Sequence, residues 1–107
     1  MTAPPTLDVR VLDLGEVTIV GLDGELVGET VDQLTTEVDR ALERDAATIV
    51  LDLSLLETIG RDATPALVEA ARAAQRHHAR LVMREPSKST RAVLDLTGAS
   101  AVLEFGD

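Results

Sequence analysis

The chain has 107 residues and a formal charge of −9, with 19 acidic and 10 basic side chains. This length predicts one domain over residues 1–107, and the apolar fraction of 45% is typical of a globular protein. The absence of cysteine excludes disulfides and thiolate chemistry, and a single aromatic residue, Phe105, weakens any hypothesis of base or sugar stacking. The negative charge argues against binding to nucleic acid.

No apolar run approaches the roughly 18 residues that suggest a membrane-spanning helix, and the first residues lack a signal-peptide pattern. We therefore expect a cytoplasmic protein without membrane insertion. Residues 1–45 carry eleven acidic and three basic side chains, whereas residues 61–91 carry three acidic and seven basic ones. This separation fits two solvated faces of unlike charge, which is the more common case, or a surface for a protein partner.

The first part of the chain predicts a β-hairpin. Apolar and polar residues alternate over 7–14, Gly15 interrupts the pattern, and a β-branched run follows over 17–22. The second strand is expected to close at Asp23 and Gly24. Because the first strand lies at an exposed edge in this arrangement, a homodimer formed through it is also considered.

Helical periodicity occurs three times. A first amphipathic helix is expected to begin near Glu29 and to end near Asp45, and a second, rich in alanine, is expected to stop around His77. A short third helix is predicted to have its N-cap among residues 87–90, where Ser87, Ser89 and Thr90 are the candidates, and Gly98 as the residue after its C-terminus.

Strands are predicted between these helices. The segment 46–53 is almost wholly apolar, which is typical of a strand covered on both faces, and 80–84 predicts another strand. The segment 102–105 fits either a last strand or a helical turn. The order of elements predicts an α/β fold with a mixed sheet of four to five strands and helices packed mainly on one face.

The junction between the strand of residues 46–53 and the second helix is the predicted functional site. In open α/β sheets, ligands and partners meet the carboxyl ends of strands, and a helix N-terminus presents unpaired N–H groups with partial positive charge. The residues expected to bind a partner are Gly60, Arg61, Asp62, Ala63, Thr64 and Val68.

Asp62 has two interpretations at this junction. As the N-cap of the second helix it would accept from backbone N–H groups, which contributes typically ~1 kcal/mol and is the more common role of aspartate there. As an exposed carboxylate it would instead present a fixed negative charge. Thr64 also reads as an N-cap with Pro65 following it.

Motifs for catalysis are missing from the sequence. Asp52 lies at a strand end without the early acidic pair and late lysine that Mg²⁺-dependent phosphoryl chemistry needs, so we expect it to accept backbone hydrogen bonds. His77 and His78 are adjacent, and thus do not share one helix face as zinc ligands. We expect a protein that is not an enzyme and that holds no cofactor or metal.

Three short motifs carry a resemblance to a known family. They are Gly24-Glu25-Leu26, Val50-Leu51-Asp52-Leu53-Ser54 and Leu96-Thr97-Gly98. In their order and spacing the chain resembles, over nearly its full length, the STAS fold of bacterial anti-sigma factor antagonists. The resemblance implies a signalling domain that binds an anti-sigma factor or related kinase-like protein and so regulates transcription. The alternative it leaves open is a STAS scaffold or accessory subunit of a stress-signalling complex or lipid transporter.

The chain departs from that family in the loop after the Asp-Leu-Ser strand. In the resembling domains this loop typically reads Ile-Asp-Ser-Ser-Gly, and a partner kinase phosphorylates the first serine. The matching residues here are Ile59-Gly60-Arg61-Asp62-Ala63. Because arginine has no hydroxyl, the resemblance predicts a domain without the usual serine switch, whose partner is selected by Arg61 and Asp62. Asp62 would then supply a fixed charge where the resembling domains gain a phosphoserine, although a phosphate carries about −1.5 to −2 and three acceptor oxygens. The alternative phosphoacceptors that flank the turn are Thr58 and Thr64.

Overall fold

A single five-stranded sheet organises the chain. The computed structural model describes residues 3–106. Strand β1 pairs antiparallel with β2, and β2, β3, β4 and β5 follow in parallel, so that the order in the sheet is the order in the sequence. The strands are β1 Leu7–Asp13, β2 Val17–Leu26, β3 Thr48–Ile59, β4 Arg80–Arg84 and β5 Glu104–Gly106.

Three helices connect the parallel strands and cover one face of the sheet. They are α1 Val31–Glu43, α2 Thr64–Arg76 and α3 Lys88–Leu96. Connections of the β-α-β type cross in the right-handed sense. Because the parallel strands are added in one direction across the sheet, this rule puts all three helices on the same side, in agreement with their shared buried cluster. The predicted α/β fold with a mixed sheet is confirmed.

The core lies between this helical layer and the sheet. Leu34 of α1, Leu67 of α2 and Leu94 of α3 are each fully buried. They pack in one cluster with every second side chain of the central strands, including Val20 and Leu51. Since the chain has almost no aromatic residues, small branched side chains and alanines fill this space, and the alanines of α2 let it approach the sheet closely.

Local sequence signals set most element boundaries. Ser87 caps α3 by accepting a hydrogen bond from the backbone N–H of Thr90 at 3.1 Å, as predicted. Gly98 adopts the left-handed conformation with φ of 80° just after that helix, also as predicted. The segment 102–105 contributes to a strand, because residues 104–106 pair with β4.

Side-chain contacts with β4 and α3 hold the short strand β5 in place. Arg80 of β4 forms an ion pair with Glu104, and the hydrogen bond from this guanidinium lowers the pKa of the Glu104 carboxyl. The guanidinium of Arg91 lies 3.8 Å from the centre of the Phe105 ring, in cation–π contact. These contacts connect α3 and β4 to the last strand.

Both central strands are longer than the sequence pattern predicts. Strand β2 continues past Gly24 to Leu26, and β3 continues past residue 53 to Ile59, with Leu26 and Ile59 paired. The predicted strand ends at Gly24 and at residue 53 are wrong because the pairing shifts register near Gly24. Such a bulge breaks the two-residue alternation on which strand prediction depends.

Gly24 is required at this bulge by the path of the backbone. Its φ is 118°, and a Cβ atom there would lie 2.5 Å from the carbonyl oxygen of Thr6. That carbonyl accepts a hydrogen bond from the backbone N–H of Glu25 at 2.9 Å. The backbone conformation of this chain therefore requires the glycine of the Gly24-Glu25-Leu26 motif.

Replacing Thr18 with valine should stabilise the protein. The Thr18 side chain is fully buried, and its hydroxyl has no hydrogen-bond partner among residues 3–106. We expect Thr18→Val to raise the free energy of unfolding by about 1 kcal/mol, because a desolvated and unpaired hydroxyl is removed. Urea unfolding followed by circular dichroism measures the change.

The matched control is Thr30→Val. The buried Thr30 hydroxyl donates to the Glu25 carbonyl at 2.6 Å and accepts from the Val27 N–H at 3.1 Å, so its removal should cost about 1–3 kcal/mol. If Thr18→Val lost as much unfolding free energy as Thr30→Val, this account of the two buried hydroxyls would be contradicted.

Candidate partner-binding surface

Parallel pairing places two loops next to each other at one end of the sheet. Leu26 and Ile59 are paired at the carboxyl ends of β2 and β3, and the N–H of Gly60 donates to the Leu26 carbonyl at 2.9 Å. The loop of residues 27–30 leads into α1, and the loop of residues 60–63 leads into α2. Two helix starts therefore open onto one surface.

Asp62 connects these two loops. Its carboxylate oxygen Oδ2 accepts a hydrogen bond from the backbone N–H of Gly28 at 3.1 Å, across 34 positions in sequence. The carboxylate occupies space that both neighbouring glycines leave open, since a Cβ on Gly28 or Gly60 would fall 2.6 Å or 2.5 Å from one of its oxygens. Gly60 thus gives the carboxylate room to reach the other loop.

The structure does not support the interpretation of Asp62 as the N-cap of α2. Residues 61–63 form a 3-10 turn ahead of the helix, and the N-cap position falls on Ala63, where no side chain supplies a capping bond. Thr64 is not the cap either, because its hydroxyl donates to the Arg61 carbonyl at 2.9 Å. The turn closes its own backbone from Ala63 to Gly60, and the carboxylate of Asp62 is directed to Gly28 instead.

The six residues predicted from the sequence lie together but differ in accessibility. Arg61 and Asp62 are exposed, and Gly60 and Val68 are half-buried. Ala63 and Thr64 are buried beneath them. Arg61 forms no ion pair with any residue between positions 3 and 106. The surface therefore presents the Arg61 guanidinium, which is able to pair with an acidic group, next to the Asp62 carboxylate.

The two candidate phosphoacceptors occupy unlike environments. Thr64 is only 4% exposed, and its hydroxyl is held by the Arg61 carbonyl. Thr58 lies near the end of β3 with its side chain exposed. Solvent access therefore distinguishes Thr58 from Thr64.

Sequence reasoning missed the loop of residues 27–30. Gly28 and Glu29 are exposed on the same surface as Arg61, and buried Thr30 holds the turn through bonds to Glu25 and Val27. The signal was present in the Gly-Glu-Leu motif, which marks the carboxyl end of β2. The proximity of the loop of residues 27–30 to Asp62 follows only from the parallel pairing of β2 with β3.

A groove between α1 and α2 extends the surface with apolar area. Its volume is about 280 Å³, and its lining begins at Ala66 in the first turn of α2. Alanine and valine side chains form its floor, while Asp39 and Arg76 stand among the lining side chains with charge of opposite sign. A partner could bury an aliphatic side chain there while charged groups meet the adjacent loops.

The separation of charge along the sequence is also a separation in space. Residues 3–60 carry 13 acidic and 3 basic side chains and include β1, β2 and α1 at one edge of the sheet. Residues 61–106 carry 5 acidic and 7 basic side chains and include α2, β4, α3 and β5. The surface around Arg61 lies where the two halves of the molecule meet.

The sequence matches a known domain family over nearly its whole length. The sequence matches the model of the STAS domain over residues 8–107. This chain belongs to the STAS domain family. A search of curated proteins found no match to the sequence. Among residues 3–106 of this STAS domain, no helix has the length and apolar character needed to cross a bilayer.

Solved structures share the STAS fold of this chain. An anti-sigma factor antagonist from Mycobacterium paratuberculosis is 21% identical with a TM-score of 0.83, covering 98% of this chain and 89% of that one. The phosphorylated Bacillus cell fate determinant SpoIIAA is 18% identical with a TM-score of 0.69, covering 95% and 92%. SLC26A9 is 11% identical with a TM-score of 0.65, covering 94% of this chain but 21% of that one. Likeness at these identities establishes the fold.

Substitution of Gly60 should release the contact between the two loops. The backbone of Gly60, with φ of −83° and ψ of 149°, suits any residue. Gly60→Ala therefore acts through side-chain contacts, mainly by displacing the Asp62 carboxylate at 2.5 Å from the new Cβ, with the Val27 methyl Cγ1 at 3.2 Å as a lesser contact. We expect the Gly28 amide to exchange with deuterium about fivefold faster, since a hydrogen bond contributes about 1 kcal/mol. Amide exchange followed by NMR measures this.

A second disrupting variant and a control complete the experiment. Asp62→Ala should accelerate Gly28 exchange to the same extent. Gly21→Ala should leave it unchanged, because the new Cβ would meet no atom closer than 3.8 Å. Unaltered exchange at Gly28 in Asp62→Ala would show that the carboxylate does not join the loops.

Proposed function

We propose that this STAS domain is a non-catalytic interaction module that works as an anti-sigma factor antagonist. It binds an anti-sigma factor and thereby frees a sigma factor for transcription. The observation that carries the proposal is the contact between Asp62 and Gly28, which joins the starts of α1 and α2 into one exposed surface. The structural likeness to the mycobacterial antagonist supports the choice of partner.

The chemistry of the surface suits a protein partner. Arginine is enriched at protein interfaces, and the Arg61 guanidinium is exposed and unpaired within residues 3–106. Val68 and the groove between α1 and α2 add apolar area next to it. We assign to the partner an acidic side chain for Arg61 and an aliphatic one for the groove.

Binding in this proposal is not switched by phosphorylation of the loop. Arg61 replaces the hydroxyl that the resemblance places at this position, and Asp62 supplies a permanent carboxylate one residue later. The carboxylate is already bonded to Gly28, so the loop is ordered without a phosphate. Affinity for the anti-sigma factor is then set by fixed charges and by protein concentration.

Binding to the anti-sigma factor of the source organism should depend on Arg61. We expect Arg61→Ala to weaken the affinity about tenfold or more, because an exposed guanidinium at the centre of an interface contributes about 1–3 kcal/mol. Titration calorimetry on the purified partners measures the change. Arg10→Ala, which removes an exposed arginine from β1 at the edge of the sheet, is the control and should bind like the parent. Parent affinity for Arg61→Ala would overturn the proposed surface.

Phosphorylation provides a second experiment, on the missing switch. The parent chain incubated with an anti-sigma factor that has kinase activity and with ATP should gain no phosphoryl group in intact-mass spectrometry. Arg61→Ser should gain one, because it restores a hydroxyl in the exposed turn, whereas Arg61→Ala should gain none. Phosphorylation of the parent that disappears in Thr58→Ala would contradict the proposal and identify Thr58 as the acceptor.

A second candidate function follows from the match to part of SLC26A9. In it, the same surface serves a different client, as an accessory or scaffold module of another assembly such as a transporter or a stress-signalling complex. Affinity capture of the tagged chain from the source cell, followed by mass spectrometry, distinguishes the two. An anti-sigma factor among the captured proteins supports the first candidate, and a transporter component supports the second.

A further inference from the structure

Strand β1 is an edge of the sheet that the chain leaves open. No other strand lies on its outer side within residues 3–106, and its seven residues pair with β2 without a bulge or a proline. The side chains that it directs toward the helices over residues 7–11 are apolar, and Asp8 and Arg10 on its other face pair with each other at 3.3 Å. Edge strands are usually protected by bulges, prolines, short length or inward-pointing charges. Because residues 7–11 have none of these, this edge is suited to accept another strand.

The hydrogen-bonding groups of this part of the chain alternate in direction. The Thr6 carbonyl accepts from the Glu25 N–H of β2 at 2.9 Å, so the even-numbered residues direct their main-chain groups toward β2. The Leu7 carbonyl points away from β2 and accepts from the Gln33 side chain of α1 at 2.9 Å. The same alternation directs the N–H and carbonyl groups of the next odd-numbered residues outward.

Val9 and Val11 carry these outward groups. Apart from the ladder with β2, no hydrogen bond reaches the main chain of either residue in the part of the chain that the structure describes. An added strand would form about four hydrogen bonds here, because each residue presents one donor and one acceptor. Since Gln33 already occupies the Leu7 carbonyl, the added strand pairs with the remainder of β1.

A groove runs beside this edge between β1 and α1. Its volume is about 590 Å³, and Val9 and Val11 of the strand line it together with Thr36 and Glu37 of the helix. Successive side chains of a strand point to opposite faces, so every second side chain of an added strand would enter this space. We refer to it as the β1 groove.

The charge of the β1 groove identifies its occupant. Three carboxylates, those of Asp8, Asp32 and Glu37, are among its lining groups, with no basic side chain from residues 3–106. The Glu37 side chain is 19% exposed, and only its oxygen Oε1 is bonded, to Arg40 at 2.6 Å. A lysine or arginine suits this groove, because its aliphatic stem packs on the valines while its cation reaches the carboxylates.

A second copy of this chain is a poor occupant of the same edge. Residues 3–60, which include β1 and α1, carry 13 acidic and 3 basic side chains. Antiparallel pairing of two β1 strands would put both α1 helices on one side of the joined sheet, with Asp32 and Glu37 of each near the twofold axis. Like charges brought together in this way oppose association, whereas a basic segment is attracted.

We propose that β1 binds an extended basic segment of a partner protein as a sixth strand of the sheet. The segment alternates basic residues, which enter the β1 groove, with aliphatic residues on the other face beside Leu12, whose side chain is 54% exposed. Its main chain pairs antiparallel with Val9 and Val11. None of these residues belongs to the surface around Arg61, so the site stands or fails independently of the anti-sigma factor.

Titration with a short peptide of alternating lysine and valine tests the proposal, with binding followed by amide shifts of the isotope-labelled chain. The largest shifts should fall on Val9, Val11 and Glu37. A peptide of alternating glutamate and valine should bind at least about tenfold more weakly, because like charges then meet in the groove. The absence of shifts at about one millimolar lysine peptide, where a complex with a Kd of that size would be half formed, would rule out the site.

Methylation of the peptide backbone tests the pairing itself. In an antiparallel arrangement, the residues opposite Val9 and Val11 direct their N–H groups to β1 and their side chains to the same face as these valines. N-methylation of the lysines should therefore abolish binding. N-methylation of the valines, whose N–H groups point away from β1, is the matched control and should leave the affinity unchanged. Undiminished binding of the lysine-methylated peptide would contradict strand addition.

A variant of the edge provides the corresponding test on the protein. Val11→Pro removes the outward N–H and leaves the ladder with β2 intact, since proline is tolerated where the N–H of an edge strand faces solvent. It should abolish peptide binding. Val11→Thr keeps the N–H and the shape of the side chain, and should bind like the parent.

The contribution of the groove is measured with a charge reversal. Glu37→Lys should weaken binding of the lysine peptide at least about fivefold, because a cation then meets a cation. Glu69→Lys makes the same change on α2 and likewise breaks an ion pair, with Arg76 at 3.0 Å, so it is the control and should bind like the parent. Equal affinities of the two variants would show that the β1 groove does not hold the basic side chains. Shifts at Val9 and Val11 that arise on concentrating the chain without peptide would assign the edge to a second copy instead.

Discussion

The parallel pairing of β2 with β3 up to Leu26 and Ile59 is the constraint on which the proposed binding surface depends. It brings the starts of α1 and α2 within reach of one carboxylate, and Asp62 then joins them through the Gly28 amide. The bulge near Gly24 allows both strands to extend that far while keeping Leu56 and Ile59 in the core. Without these last pairs the two loops would move independently.

Local chemistry made much of the fold predictable. The cap at Ser87 and the left-handed turn at Gly98 depend on residues within four positions, so the sequence pattern contains all that is needed. The extension of β2 and β3 was not predictable, because a register shift removes the alternation. The partner of Asp62 was not predictable either, since it lies 34 residues away and its proximity is created by strand pairing.

The loop after β3 shows a coordinated departure from the pattern of the resembling domains. Gly60 stands in place of aspartate, which leaves room for the Asp62 carboxylate, and Arg61 stands in place of the acceptor serine. Arg61 and Asp62 together put two fixed and opposite charges where the resembling domains carry a modifiable hydroxyl. In the account proposed here, the end of the sheet where β2 and β3 terminate serves the partner.

Mapping of the interface by NMR tests the central claim most directly. The isotope-labelled chain is titrated with the anti-sigma factor of the source organism, and backbone amide shifts are followed. The account predicts that the largest changes fall on Gly28, Arg61, Asp62 and Val68, at the starts of α1 and α2. Changes confined to Leu12, Ile19 and Val50, on the face of the sheet opposite the helices, with none at Arg61 or Asp62, would contradict it.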